Sequence, residues 1–365
     1  MPRGDSLLIR GLRGSPSAIL VDDGRIVALG PDAESAGGET TLVADGCTAH
    51  PGFIDLQVNG IGELDFTREP TSIGRAGTAL ARFGVTAFLP TIVSSPPGTV
   101  EAATHAWSAT VTEAGEGARP IGIHAEGPFL ARSRAGAHDP AQLRPPALDE
   151  IARWVDGGTR LITLAPELAG ACEAIELIAS RGAVAAIGHT DADAETTTRA
   201  IDAGARYATH LFNAMPPLGH RAPGAIGALL DDERVTIGLI ADGRHVDSLV
   251  LSLVARAMRG RLSLVSDGVG DDLGGQALDD GHRPDGVLAG GRVGLDEGVR
   301  TMAGLIGLDA AIDAVTAVPA ALLGLDDGRG ELRVGGVADV VLLTDGLEVA
   351  ATIAEGRAAV YAVAP

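Results

Sequence analysis

The stretch Ala183-Val184-Ala185-Ala186-Ile187-Gly188-His189 is an apolar run of strand length that ends on a histidine. Segments of helical length flank it, residues 171–181 before and 194–203 after, both rich in Ala, Glu and Arg or Leu. The local reading is therefore helix, strand, helix, with a polar side chain at the strand's end. The same unit recurs in both directions. Runs at 53–58, 86–93, 120–124, 161–165, 183–188, 207–211, 236–241 and 262–265 make eight strand candidates, most preceded by helix-length segments such as 248–259. Eight strands with helical spacers is the count of a (β/α)8 TIM-type barrel, an α/β fold. A doubly wound open sheet is the competing arrangement. It is weakened because no glycine-rich dinucleotide fingerprint follows the first strand.

Both chain ends read as β structure of another kind. Residues 18–21 and 25–29 flank Asp22-Asp23-Gly24, a hairpin signal, and residues 338–343 precede two short strands around Glu355-Gly356. Strands at both ends predict one small β module, residues 1–50 with 330–365, around a barrel over 51–329.

Composition narrows the function. Of 365 residues, 45% are hydrophobic and 21% charged, enough apolar surface for a large core and too much for a disordered chain. The formal net charge of −20 argues against nucleic acid or an anionic membrane as partner, though a local cluster of donors still suits an anionic small substrate. All 28 basic residues are Arg, so Schiff-base catalysis, a P-loop and a carbamylated-lysine metal bridge are excluded. Cys47 and Cys172 form no CxxC pattern and read as packing residues in a reducing cytoplasm. Met1 to Leu12 carries Arg3, Asp5 and Arg10 without an apolar core, so no signal peptide is expected. The longest uncharged run, 83–100, contains Pro90, Pro96 and Pro97 and is no membrane helix. A soluble cytoplasmic protein is expected.

The strand ends are rich in metal-ligand and acid–base side chains. The first run delivers Asp55, Gln57 and Asn59, the third His124 and Glu126, and the fourth Glu167. The fifth delivers His189, the sixth His210 and Asn213, the seventh Asp242 and His245, and the eighth Asp267. In a barrel these ends meet at one mouth. One Glu and two His with an open position is a catalytic zinc-type ligand set, and an Asp on a further strand can take a proton from water. Singly, each has a plainer reading: a core histidine, an Asp-Gly turn at Asp242 or Asp267, a loop glutamate before Gly127-Pro128. Recurrence over six strands favours the metal site. His50 and His105 read as structural, His282 as solvated, and His220 as either loop or site.

Several strings resemble, in order along the chain, the N-acetylglucosamine-6-phosphate deacetylase family of the amidohydrolase superfamily. They are Pro51-Gly52-Phe53-Ile54-Asp55-Leu56-Gln57-Val58-Asn59-Gly60, His124-Ala125-Glu126-Gly127-Pro128-Phe129, Gly188-His189-Thr190 and Ala208-Thr209-His210-Leu211-Phe212-Asn213-Ala214-Met215. Further on come Arg221-Ala222-Pro223-Gly224, Asp242-Gly243-Arg244-His245 and Val265-Ser266-Asp267, with a tail from Gly330 to Asp339. The resemblance implies a barrel with a β-sandwich built from both termini, and hydrolysis of the acetamide of N-acetylglucosamine-6-phosphate to glucosamine-6-phosphate and acetate. It implies that Glu126, His189 and His210 hold one divalent metal ion, zinc first, with Fe, Co or Mn as alternatives. Asp267 is then general base and acid, and His138 polarises the carbonyl. Gln57, Ala137, Asn213 and Ala214 are implied in substrate binding, with Arg221 and His245 on the phosphate. The segment Leu288-Ala289-Gly290 stands where the family has a Ser-rich substrate loop. A homodimer is implied as well, with the partner completing the phosphate pocket. Many amidohydrolases open with His-x-His for a second metal; Gln57 and Asn59 stand there instead, and neutral amides are poor transition-metal ligands, so a single metal is expected. N-acetylgalactosamine-6-phosphate as substrate, and a non-catalytic sugar-phosphate-binding protein, are the other readings.

Overall fold

The eight apolar runs form eight parallel strands: β1 Phe53–Val58, β2 Val85–Val93, β3 Ile123–Glu126, β4 Thr159–Leu164, β5 Val184–Ile187, β6 Tyr207–Ala208, β7 Thr236–Leu239 and β8 Leu262–Leu264. This computed structural model describes residues 6–361 apart from 112–114, 116, 259, 275 and 293. Neighbouring strands pair in chain order from β1 to β8, giving a nearly closed barrel. The seam closes at the top, where Val58 bridges Gly268 and the N–H groups of Asn59 and Gly60 donate to the Gly268 carbonyl at 2.8 and 3.1 Å. Lower down β1 and β8 do not pair. There Ile54 donates to Val315 at 2.7 Å and Leu264 to Ala314 at 2.8 Å, so Ala314-Val315 fills the gap.

The third run differs from the expected 120–124. Arg119–Pro120 is a separate short strand on β2, and β3 begins at Ile123 and extends through Glu126. Gly122 between them has φ 147°, and a Cβ there would lie 2.7 Å from the Arg160 side chain. Glu126 is thus a strand residue rather than a loop one.

Helices follow the strands as expected. Ala194–Ala203 starts where the Asp193 carboxylate accepts the Thr196 N–H at 2.8 Å, and Ser248–Ala257 where Asp247 caps Leu249. Arg259, the expected end of the latter, lies outside the described residues. Alternation along the strands separates two cores. Ile162, Leu164, Ala185 and Ile187 face the helices, while Leu161, Val184, Ala186 and Tyr207 fill the barrel floor. Gly238 is required at this floor, since a Cβ would lie 2.2 Å from the Tyr207 hydroxyl. Above it His124 is fully buried among threonine hydroxyls, Thr91 at 3.2 Å and Thr163 at 2.8 Å. It is a core histidine below the mouth, not a member of it.

The chain ends build two four-stranded sheets. One has the order Arg25–Leu29, Ala18–Asp22, Leu7–Arg10, Thr40–Val43; the other Arg357–Tyr361, Val349–Ala354, Val340–Leu343, Thr48–Pro51. Ile9, Ile19, Val21 and Ile26 pack with Val340, Leu342 and Ile353 as a separate sandwich core, which also takes Cys47. Asp23-Gly24 and Glu355-Gly356 all have positive φ, the conformation a two-residue hairpin turn requires. Both cysteines are free, and no described helix is long and apolar enough to cross a membrane.

Candidate active site

The strand ends surround a cavity of about 350 Å³, large enough for a small sugar derivative. On its floor Glu126 Oε1 lies 2.9 Å from His210 Nε2 and 3.2 Å from His189 Nε2, and the two nitrogens are 3.1 Å apart. His189 Nδ1 donates to the Arg134 carbonyl at 2.8 Å, which fixes the ring with its Nε2 facing the other two groups. A tetrahedral cation with bonds of about 2.1 Å separates its donors by about 3.4 Å. Three buried side chains of metal-binding type so close together fit such a cation. Burial works against ionisation of Glu126, but hydrogen bonds with His189 and His210 hold its carboxyl well below the usual range.

His138 is also near, since one donor atom each of Glu126, His138 and His189 lies within 4.8 Å of the others. Its chemistry is different. Burial, then the neighbouring His189, push it down to about 3, so the ring is neutral. Its Nδ1 accepts the Ser94 backbone N–H at 3.1 Å, so the ring proton sits on Nε2. His138 therefore presents an N–H donor to the cavity rather than a lone pair to a metal.

Asp267, 7% exposed, completes the floor. Its Oδ1 accepts from Gln57 Nε2 and Asn59 Nδ2, both at 2.9 Å, and Gln57 Nε2 also reaches Glu126 Oε1 at 3.1 Å. Burial, then the nearby Glu126 charge, push the Asp267 carboxyl up to about 6. His189, His210 and Asp267 all sit at positive φ (49°, 28° and 47°), as do Phe212 and Ala214. Non-glycine residues adopt that region at a cost of ~1–2 kcal/mol each, tolerated where the turn aims a side chain.

The residues expected around the substrate divide into two groups. Ala137, Asn213, Ala214, His245, Leu288 and Ala289 line the cavity, as does the first-strand amide Asn59. His245 is fixed there because its Nδ1 donates to Asp242 Oδ2 at 2.8 Å. Burial opposes ionisation of Asp242, yet this bond and the His245 and Arg244 N–H groups bring it down to about 2. The other group is elsewhere. Gln57 is fully buried with its amide held by two carboxylates, so it is a support beneath the site rather than a substrate contact. Gly290 is packed against Val269 and the Asp267 carbonyl. Arg221 is exposed outside this chain's cavity, its guanidinium donating to His220 Nε2 at 2.7 Å, because the Pro- and Gly-rich loop turns it to solvent. Glu167 reaches no ligand position either: its carboxylate accepts from the Thr190 hydroxyl and the Asp191 N–H, tying down the turn that carries His189.

Ser133, Arg134, Val93, Leu273 and Val287 also line the cavity and carried no strand-end signal. The one cue was position: Ser133-Arg134 stands just before Gly136-Ala137-His138, and Asp191 clamps both side chains.

Asp55, the remaining first-strand candidate, turns away from the mouth. Its Oδ1 accepts from the N–H of Gln57 and of Ser266, each at 3.2 Å, stapling β1 to the end of β8. Burial pushes this carboxyl up to about 7. A folded-state value raised above the unfolded one contributes stability that is complete below about pH 4 and is lost as pH rises through about 7. Asp55→Asn keeps the acceptor and cannot ionise. Its Tm relative to the unsubstituted protein, both free of metal, should rise steadily from pH 4 to pH 8; a flat difference contradicts this.

Residues 48–359 match the amidohydrolase family. N-acetylglucosamine-6-phosphate deacetylase of Bos taurus is 36% identical, over 95% of this chain and 93% of that protein. N-acetylgalactosamine-6-phosphate deacetylase of a Shewanella species is 39% identical over 72% of this chain and 68% of its own. Among solved structures, N-acetylglucosamine-6-phosphate deacetylase of Pasteurella multocida superposes with a TM-score of 0.90 at 26% identity, covering 97% of this chain and 99% of that one. Eight parallel strands, a Glu-His-His cluster at their ends and a family match over most of its length agree: this chain belongs to the amidohydrolase family.

Proposed function

We propose that this protein hydrolyses the acetamide of N-acetylglucosamine-6-phosphate to glucosamine-6-phosphate and acetate. The observation that carries this is one cavity holding three metal-type donors, a neutral N–H donor at His138 and a carboxylate at Asp267. Glu126, His189 and His210 would hold a single divalent ion, zinc by its liking for nitrogen and carboxylate ligands, with Fe, Co and Mn as the other metals to test. When bound, that ion supplies Lewis-acid polarisation of the reacting groups. Asp267 takes a proton from the attacking water and returns it to the departing amine, which is too basic to leave as an anion. His138 Nε2–H donates to the amide carbonyl oxygen as charge gathers there. A complete set of such groups argues against a merely sugar-binding protein.

The test is amine release from N-acetylglucosamine-6-phosphate, N-acetylgalactosamine-6-phosphate and the two unphosphorylated sugars. The galactosamine substrate is the second reading, supported by the identity to the Shewanella enzyme. No release from any of the four defeats the proposal.

We also propose a cytoplasmic homodimer, with 51–329 as the barrel unit and 1–50 with 330–365 as the terminal one. Helix Ser248–Ala257 exposes Leu249 (75%) and Leu253 (62%) one turn apart, and Leu218 (53%) projects from the Arg221 loop. These apolar groups suit a second copy, toward whose cavity Arg221 would carry its bidentate fork for phosphate. Arg221→Ala should raise KM for the phosphorylated substrate at least ~10-fold and leave the unphosphorylated sugar nearly unchanged. Leu249→Glu with Leu253→Glu should yield a monomer with the same KM defect. A dimer in that variant, or equal Arg221→Ala effects on both substrates, contradicts the arrangement.

A further inference from the structure

We propose that Gln57 and Asn59 are positioning residues for Asp267, holding one oxygen of its carboxylate so that the other faces the reacting groups. The inference rests on the deacetylase reading, in which Asp267 moves the proton. Two N–H donors at 2.9 Å, Gln57 Nε2 and Asn59 Nδ2, occupy both acceptor directions of Asp267 Oδ1. No described protein group donates to Oδ2, and Asp267 lines the cavity. Left to itself a carboxylate rotates broadly about its last bond, presenting either oxygen. Here that rotation is blocked from two sides.

The amides are arranged for the carboxylates and not for themselves. Gln57 Oε1 and Asn59 Oδ1 are buried and have no hydrogen-bond partner. A buried amide ordinarily satisfies both its ends. Each of these turns its N–H group to Asp267, and Gln57 also spans to Glu126 Oε1 at 3.1 Å, so one side chain sets the separation of the base from the metal-type carboxylate. The support is itself anchored. Asp55 Oδ1 ties the Gln57 N–H to the Ser266 N–H, and the Ser266 hydroxyl donates to the Gln57 carbonyl at 3.4 Å. Thus β1 and the turn carrying Asp267 are fixed to each other where the amides act.

A double-mutant cycle with Asp267→Asn tests this, because Asn retains one acceptor oxygen for the two donors. Asn59→Ala and Gln57→Leu are each expected to lower kcat by ~10–100-fold, the range for residues that orient a reacting group's shell, with KM within ~2-fold and one metal per chain retained. In the Asp267→Asn background either substitution should change kcat by less than ~2-fold, since nothing is left to orient. Losses that multiply in the double variants overturn the inference, as does a raised KM with unchanged kcat, which makes Asn59 a substrate contact. Should Gln57→Leu fail to fold, the Asn59→Ala cycle decides alone. Full loss in Asp267→Asn with multiplying effects defeats this inference only; undiminished turnover in Asp267→Asn defeats the assignment of Asp267 and this inference together.

Discussion

Asp267→Asn is expected to lower kcat by ~10²–10⁴-fold, the usual worth of a general acid–base group, while the metal content stays at that of the unsubstituted protein. The side chain keeps its size and one acceptor for Gln57 and Asn59, so the floor of the cavity retains its hydrogen bonds. What it loses is the ability to take a proton and give it back. The carboxyl is pushed up to about 6, by burial first, which puts its proton affinity near the working range of a base at neutral pH. Steady-state amine release together with elemental analysis checks the expectation. Near-normal turnover with metal bound removes Asp267 from the mechanism.

Glu126→Gln should bring turnover down to that of the chelated protein and leave metal well below one equivalent per chain after dialysis. Glu126 is the only carboxylate of the Glu-His-His cluster, and the substitution leaves a divalent ion facing two imidazoles and a neutral amide. The unsubstituted protein should hold one equivalent. Two tightly held equivalents, both needed for turnover, contradict the single-ion site, because Gln57 and Asn59 point N–H groups rather than lone pairs toward the floor.

Most of the barrel is legible in the sequence because strand runs and helix spacers follow different periods. Each of the eight runs contains strand, though only Tyr207–Ala208 of 207–211, and a polar residue just past the strand is where the chain turns into the mouth, as at His189, His210 and Asp267. What the sequence hides is direction. His124 and Glu126 lie two apart on β3, yet one is sealed among threonines and the other reaches the cavity. Arg221 has the right chemistry for phosphate but a loop that faces solvent, a matter of turn geometry that no spacing encodes. Gln57 looks like a polar contact until its burial and two carboxylate partners are known. Ser133 and Arg134 escape notice because loops have no period to break.

The pairing of Thr48–Pro51 with Val340–Leu343 has a consequence for how the molecule is made. The Thr48 hydroxyl meets a carbonyl 295 residues later in the chain, at Leu343. During synthesis the strand leading into the barrel must therefore wait, its edge open, until the chain as far as Leu343 has left the ribosome. The sheet over residues 7–43 is complete early from local contacts, whereas the opposite face of the sandwich arrives last. Such distant closure slows folding, and an exposed strand edge recruits other chains. A nascent chain halted before residue 340 thus carries a preformed template for aggregation next to its half-built barrel, and it is at this stage that a chaperone has the most to protect.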